Sequence, residues 1–121
     1  MSKTILTVDD SRTMRDMLKH SLLEAGFKVL QAEDGVHGLE VLLTETPDVI
    51  VTDINMPRLD GFGFIEAVRR DPSRRAVPML VLTTEVDAAK KGRAKAAGAT
   101  GWIVKPFDPA KLIEAIRRVS A

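Results

Sequence analysis

Five short runs of apolar, mostly β-branched residues recur along the chain, and segments of helical period separate them. Runs of this length and composition are typical of buried β-strands. The predicted strands cover residues 4–8, 28–31, 48–52, 79–83 and 102–104. Because strands and helices alternate, each crossover helix must bury its apolar face against the sheet. The pattern therefore predicts a doubly wound α/β fold, with a five-stranded parallel sheet between two helical layers.

The segments between the strands carry apolar residues at spacings of three and four, which predict helices with one buried face. The first helix is ended by Gly26, and its apolar face comprises Met14, Met17, Leu18, Leu22 and Ala25. Asp34 is placed to cap a second helix that ends before Pro47, with an apolar face of Val36, Leu39 and Leu43. A third helix is outlined by Phe62, Ile65, Val68 and Arg69.

The last two predicted helices differ in composition. The fourth, residues 87–97, is rich in alanine, contains Gly92 and ends at Gly98, so we expect it to be the least stable helix. The fifth has Asp108 as its N-cap and Pro109 at its first position, both favourable there. Its inward face carries Leu112, Ile113, Ile116 and Val119.

Composition narrows the possible functions. A chain of 121 residues fits one domain, and no Pro/Gly/Ser-rich linker divides it, so we expect a single domain over residues 1–121 without an output domain. The absence of cysteine excludes disulfides, thiolate metal sites and cysteine nucleophiles, and it agrees with a reducing compartment such as the cytoplasm. No apolar run approaches the roughly 20 residues that span a bilayer, so we expect a soluble protein without membrane insertion.

Charge and histidine content give no sign of nucleic-acid binding or histidine chemistry. The net charge is +1, and the basic pairs are scattered rather than clustered on one face with stacking aromatics, at positions 69/70, 74/75, 90/91 and 117/118. His20 and His37 lie on separate predicted helices without ligand spacing, and we assign them no role.

Polar residues at the carboxyl ends of the strands are the candidate functional groups, since ligands bind at that edge of such sheets. They are Asp9, Asp10, Asp53, Thr83, Thr84 and Lys105. Three converging carboxylates are unfavourable unless a cation offsets their charge. Oxygen ligands with room for water suit Mg²⁺, and Lys105 adds a second positive charge.

Asp53 is the candidate nucleophile, because a buried strand anchors it, whereas Asp9 and Asp10 sit together as a metal-binding pair. A carboxylate attacks phosphorus to form an aspartyl phosphate, and Lys105 and the Thr83 hydroxyl would stabilise the transferring oxygens. Each residue also has a plainer explanation. Asp10 or Ser11 would serve as a helix cap, Asp53 would open a turn, and Thr83 and Lys105 would be ordinary surface residues. Their joint occurrence at matching strand ends favours a functional site over these separate explanations.

Four motifs carry a resemblance to a known family: residues 8–11 (VDDS), 51–57 (VTDINMP) with Asp60-Gly61, 82–85 (LTTE) and 104–107 (VKPF). Over essentially its whole length the chain resembles the receiver domain of response regulators, and in particular the CheY-like single-domain regulators of chemotaxis. The resemblance implies the flavodoxin-like form of the fold, with strand order 2-1-3-4-5. It also implies a phosphorylation-dependent signalling switch of a two-component system, rather than an enzyme acting on other substrates.

The resemblance implies a role for each site residue. Asp53 would be the phosphoacceptor, and Mg²⁺ would be bound by Asp10, Asp53 and the backbone carbonyl of Asn55, with Asp9 acting through water or indirect contacts. Thr83 and Lys105 would hold the phosphoryl oxygens, and the Lys105–Pro106 bond would be cis. Asn55 and Glu85 would influence the lifetime of the phosphoryl group. We expect this lifetime to be short, because the protein would catalyse the hydrolysis of its own aspartyl phosphate.

The same resemblance describes the switch. Thr83 would move toward the phosphoryl group, and an aromatic residue on strand five would move into the vacated space. Trp102 occupies that position, where tyrosine or phenylalanine is more common, so a half-exposed tryptophan that anchors a partner without moving stays an alternative. A second departure is Thr84, where chemotaxis relatives usually have alanine. Its added bulk would narrow access to the site.

The expected output is binding to a partner. The predicted face, built from helix four, strand five and helix five, carries Lys90, Lys91, Lys95, Trp102 and Lys111, although these basic residues have the alternative of being merely solvated. The implied partners of a monomer are a CheA-type histidine kinase, the flagellar motor switch protein and a phosphatase.

Three alternatives to this function stay open. A phosphorelay intermediate or phosphate-sink receiver would not bind the motor. A haloacid dehalogenase-type phosphatase would need a second acid where Asn55 stands. A flavodoxin-like cofactor binder would need a Ser/Thr/Gly-rich phosphate loop after strand one.

Overall fold

A computed structural model describes residues 2–121 and contains one parallel sheet. Its strands are β1 (Thr4–Val8), β2 (Lys28–Ala32), β3 (Val49–Thr52), β4 (Met79–Thr83) and β5 (Gly101–Val104). They pair in the order β2-β1-β3-β4-β5. This is the doubly wound, flavodoxin-like arrangement that the sequence predicts. Reversal of the winding between β1 and β3 leaves the carboxyl ends of these two neighbouring strands open for a site.

Five α-helices connect the strands: α1 (Arg12–Glu24), α2 (Gly35–Leu42), α3 (Gly61–Arg70), α4 (Ala88–Ala97) and α5 (Pro109–Val119). A short 3-10 helix, Pro72–Arg74, follows α3. At the start of every α-helix a side-chain oxygen accepts a backbone N–H bond, which satisfies a donor that has no partner within the helix. These N-caps are Ser11, Asp34, Asp60, Asp87 and Asp108. Among the helices of residues 2–121, none combines the length and apolar character needed to cross a bilayer.

The core forms two clusters, one on each side of the sheet. Consecutive strand residues point to opposite faces, so Leu6 belongs to the cluster under α2, α3 and α4, and Ile5 belongs to the cluster under α1 and α5. Phe64 of α3 is fully buried in the first cluster, and Leu22 and Ile116 are fully buried in the second. The predicted three-layer architecture is confirmed.

For two apolar residues the predicted burial is wrong. Met17 is 51% exposed, because the buried stripe of α1 runs through Leu18 and Leu22 and places Met17 on a neighbouring face. Leu43 is 80% exposed, since α2 ends at Leu42 and that residue takes the buried position.

Three strand boundaries also differ from the prediction. β2 continues to Ala32, and β5 begins at Gly101. β3 begins at Val49 rather than Asp48. The Asp48 carboxylate accepts the Thr4 N–H at 2.7 Å, so its side chain ties the start of β3 to β1.

Helix α4 has few anchors. Ala94 is its one buried residue, and a methyl group added at Gly92 would meet nothing within 4 Å. The helix ends as expected at Gly98, whose φ of 119° lies in the left-handed region that favours glycine. Its predicted low stability stays a prediction. The Lys105–Pro106 bond is cis, as the resemblance implies.

Candidate functional site

The acidic residues that follow β1 and β3 lie together at the carboxyl edge of the sheet. Val8 pairs with Thr52, so the next residues, Asp9 and Asp53, extend from neighbouring strands in register. The Asp53 N–H donates to the Val8 carbonyl at 2.9 Å. One carboxylate oxygen each of Asp9, Asp10 and Asp53 lies within 4.8 Å of the others. The structure therefore brings together the three acids that the sequence singles out.

Lys105 reaches this cluster from the end of β5. Its ammonium nitrogen lies 2.8 Å from Asp9 Oδ2 and 2.9 Å from Asp53 Oδ2. Burial alone would lower the pKa of Lys105, but the hydrogen bonds and charges of the two carboxylates outweigh it and raise the pKa above its ordinary value. Lys105 is therefore charged throughout the physiological pH range and offsets one of the three negative charges.

Asp9 and Asp10 differ sharply although they are adjacent. Asp9 is 2% exposed, and its two oxygens accept bonds from the Ser11 N–H and from Lys105. Burial raises the pKa of Asp9 despite these bonds. Asp10 is exposed and accepts no hydrogen bond within residues 2–121. Ser11, whose hydroxyl accepts the Met14 N–H, is the cap of α1, so helix capping does not account for Asp10.

Asp53 is held by the backbone N–H of Ile54, and the start of α3 lies close against its carbonyl. Its Oδ1 accepts the Ile54 N–H at 2.6 Å, and its Oδ2 faces Lys105. A Cβ at Gly61 would lie 2.3 Å from the Asp53 carbonyl oxygen, so only glycine permits this approach of α3 to the strand end. With 9% of its surface exposed, Asp53 is fixed but still reachable.

The donor set fits a small divalent cation. Three carboxylates face one ammonium group, which leaves an excess of negative charge within a few ångströms. Hard oxygen ligands of this kind are those that Mg²⁺ prefers, and the exposed Asp10 leaves a side open to water. The cluster is thus compatible with a magnesium site.

The residues beyond β3 and β4 are joined by a contact that sequence analysis missed. Thr83 is fully buried, and its hydroxyl accepts the Glu85 N–H at 3.3 Å, whereas Thr84 is exposed. The Asn55 side-chain amide donates to Glu85 Oε1 at 3.0 Å. This hydrogen bond, followed by that of Lys90, lowers the pKa of Glu85. The signal was present, because Asn55 stands two residues beyond Asp53 and Glu85 stands two residues beyond Thr83, at the ends of neighbouring strands.

A second missed contact ties the loop after β2 to the loop after β3. The Arg58 guanidinium donates to both oxygens of Asp34, at 2.7 and 3.0 Å. Arg58 adopts a φ of 64°, which is uncommon for a residue with a side chain. The Arg58 hydrogen bond holds the pKa of the Asp34 carboxyl below its ordinary value. Sequence analysis identified Asp34 only as a helix cap, a role it also fills by accepting the His37 N–H.

The structure brings together part of the predicted partner face. Trp102 is half-buried and packs against the core cluster beneath α4. With Lys91 and Lys95 it lines a cavity of about 210 Å³ between α4 and β5. Lys111 is exposed on α5 and does not line this cavity, and Lys90 forms an ion pair with Glu85.

Comparisons with known proteins agree with this geometry. The model of the response regulator receiver domain matches residues 5–117. A probable chemotaxis protein CheY of Rhizobium etli is 36% identical over 116 residues, which cover 95% of this chain and 90% of that protein. The structure of chemotaxis protein CheY4 of Vibrio cholerae is 44% identical, with a TM-score of 0.94 and coverage of 98% of this chain and 99% of that one.

A third relative was solved with a metal ion. The receiver domain of a sensor histidine kinase from Pseudomonas aeruginosa has a magnesium ion coordinated in its active site cleft. It is 25% identical to this chain, with a TM-score of 0.92 and coverage of 99% of this chain and 98% of that one.

Proposed function

The chain belongs to the response regulator receiver family, and we propose that it accepts a phosphoryl group from a histidine kinase on Asp53 and thereby changes its affinity for a partner protein. The observation that carries the proposal is the 2.9 Å contact between Lys105 Nζ and Asp53 Oδ2 within a cluster of three carboxylates. A fixed cation next to one anchored carboxylate is the arrangement that transfer of an anionic phosphoryl group requires.

Asp53 suits the role of nucleophile better than its two neighbours. Asp9 is more deeply buried and both of its oxygens already accept hydrogen bonds. Asp10 is exposed and is held by no hydrogen bond within residues 2–121, so its position is less fixed. Asp53 combines anchoring with access, and its Oδ2 has a positive group beside it.

The proposed reaction has two steps. An Asp53 carboxylate oxygen forms a bond to phosphorus while the bond between phosphorus and the donor histidine nitrogen breaks, and that nitrogen leaves with the electron pair. In the second step water attacks phosphorus, and the bond between phosphorus and the Asp53 oxygen breaks. Inorganic phosphate departs, and the Asp53 carboxylate is regenerated. Lys105 and the Thr83 hydroxyl stabilise the phosphoryl oxygens in both steps, and Asn55 and Glu85 influence how quickly water acts.

Magnesium is the proposed cofactor. Asp10, Asp53 and the backbone carbonyl of Asn55 would hold the ion, with Asp9 acting through water. When bound, the ion supplies positive charge that offsets the charge of the phosphoryl oxygens. The excess negative charge of the three acids over Lys105 supports this assignment.

The proposed output is chemotaxis, with a CheA-type kinase as donor and the flagellar motor switch protein as target, because several relatives carry the name of a chemotaxis protein. In this role residues 1–121 act as one monomeric receiver domain in the cytoplasm. Movement of Thr83 toward the phosphoryl group would change the packing of Trp102. Around Trp102, a basic surface that binds the partner would be formed by Lys90, Lys91, Lys95 and Lys111. The alternative is a phosphorelay intermediate or phosphate sink without affinity for the motor.

Phosphotransfer from kinases tests this function. The wild-type protein and Asp53→Ala are mixed with a panel of radiolabelled, phosphorylated histidine kinases of the same genome. We expect label to pass to wild type alone, and the labelled form to retain motor switch protein in a pulldown. Label on both proteins would contradict the site, and label without retention would favour the phosphorelay or sink alternative.

A further inference from the structure

One oxygen of Glu85 connects the site to helix α4. Glu85 Oε1 accepts the Asn55 side-chain amide at 3.0 Å and lies 3.1 Å from Lys90 Nζ. Asn55 belongs to the loop after β3, Glu85 to the loop after β4, and Lys90 to the first turn of α4. A single carboxylate oxygen therefore joins three separate segments.

This chain of contacts lies next to the proposed phosphoacceptor. Asn55 follows Asp53 by two residues. Glu85 follows Thr83, the last residue of the neighbouring strand β4, by two residues. The Asn55–Glu85 hydrogen bond thus bridges the two loops that begin at Asp53 and Thr84. While the bridge is closed, the amide and the carboxylate are engaged with each other and are less available to water.

We propose that Lys90 is a positioning residue that holds Glu85 against Asn55 and thereby slows the attack of water on the phosphoryl group of Asp53. The inference rests on the proposed function, since it concerns the lifetime of the same phosphoryl group. Lys90 acts through Glu85. It is the only lysine or arginine within residues 2–121 that pairs with that carboxylate.

The size of the effect follows from the exposure of the pair. The Glu85 side chain is 25% exposed and that of Lys90 is 44% exposed, so solvent and salt partly screen their attraction. Without Lys90, the flexible Glu85 side chain has one partner instead of two and leaves Asn55 more often. For an ion pair at this exposure we expect hydrolysis to accelerate about two- to fourfold.

The test compares the decay of labelled wild-type protein with that of five variants. The proteins are labelled with radiolabelled acetyl phosphate and Mg²⁺, the donor is removed, and decay is followed. Lys90→Ala should decay about two- to fourfold faster than wild type, and Lys90→Arg should restore the wild-type rate. Lys19→Ala removes an exposed charge from α1 and should decay as wild type does. In a Glu85→Ala background, Lys90→Ala should have no further effect.

Two outcomes of the decay assay would overturn the inference: equal decay of Lys90→Ala and wild type, or an equal effect of Lys90→Ala with and without Glu85. A second readout needs no phosphoryl group. The side-chain amide signals of Asn55 in a spectrum of the ¹⁵N-enriched, unphosphorylated protein should shift in Lys90→Ala and return in Lys90→Arg. If wild type takes up no label, the proposed function fails, whereas unchanged amide signals in Lys90→Ala contradict the role of Lys90 alone.

Discussion

Lys105 and Asp53 meet across the carboxyl ends of β5 and β3, with Nζ 2.9 Å from Oδ2, although β4 separates the two strands in the sheet. The same ammonium group contacts Asp9 at 2.8 Å. Lys105 thus connects the ends of three strands. It also supplies the positive charge next to the carboxylate that we propose as phosphoacceptor.

Removal of this ammonium group should cost stability. In Lys105→Met, Asp9 and Asp53 lose their shared partner and remain close together in a largely buried position. We expect the free energy of unfolding to fall by about 1–3 kcal/mol in the absence of metal, and added Mg²⁺ should recover part of the loss. Denaturant unfolding with EDTA or with Mg²⁺ measures both effects. An unchanged stability in EDTA would mean that the contact contributes nothing.

Asp10 should have opposite effects on stability with and without the metal. In EDTA, Asp10→Asn relieves repulsion from the neighbouring acids and should raise the free energy of unfolding by about 0.5–1 kcal/mol. With saturating Mg²⁺ the wild type should become the more stable protein, because a ligand that binds the folded state stabilises it. The matched control is Asp16→Asn on the exposed face of α1, which should respond equally in both conditions. An identical response of Asp10→Asn and the control would contradict a metal site.

The two glycines Gly61 and Gly92 should respond oppositely to alanine. A Cβ at Gly61 would stand 2.3 Å from the Asp53 carbonyl, so Gly61→Ala must displace α3 or the strand end and should destabilise by at least about 2 kcal/mol. Gly92→Ala adds a methyl group in open space on α4 and should stabilise by about 0.5–1 kcal/mol. Thermal or denaturant unfolding measures both. Similar changes in the two variants would show that the approach of α3 to Asp53 is not tight.

Acid should weaken the contact between Asp34 and Arg58. The Arg58 hydrogen bond lowers the pKa of Asp34 from its ordinary 3.8, so the folded state binds its proton at a lower pH than the unfolded state does. The resulting stabilisation is fully present above about pH 4 and is lost as the pH falls through the lowered pKa. We expect Arg58→Gln to reduce the loss of stability between neutral pH and about pH 3. If the free energy of unfolding falls equally with pH in the two proteins across this range, the contact between Asp34 and Arg58 makes no such contribution.

The site could largely be predicted from the sequence because a parallel sheet places all strand carboxyl ends at one edge. Asp9, Asp53 and Lys105 therefore meet whichever loops connect them. Helix caps could also be predicted, since a polar residue directly before a segment of helical period has few other roles. Asp108, followed by Pro109, illustrates this.

The remaining features depend on three-dimensional details that periodicity does not encode. Met17 and Leu43 lie one position away from the buried stripe, and helical spacing alone does not distinguish neighbouring faces. The selection of partners on the surface is also invisible in the sequence. Arg58, whose backbone is left-handed, meets Asp34, and Lys90 of α4 meets Glu85 of the loop after β4.

In the proposed function, the carboxylate of Asp53 becomes a transient acyl phosphate. The most direct measurement incubates the protein with acetyl phosphate and Mg²⁺ and determines by mass spectrometry which residue gains the mass of one phosphoryl group. We expect one such group, on Asp53, that forms in wild type, requires Mg²⁺ and is absent from Asp53→Asn. If wild type gains no phosphoryl group, or Asp53→Asn gains it equally, Asp53 is not the phosphoacceptor.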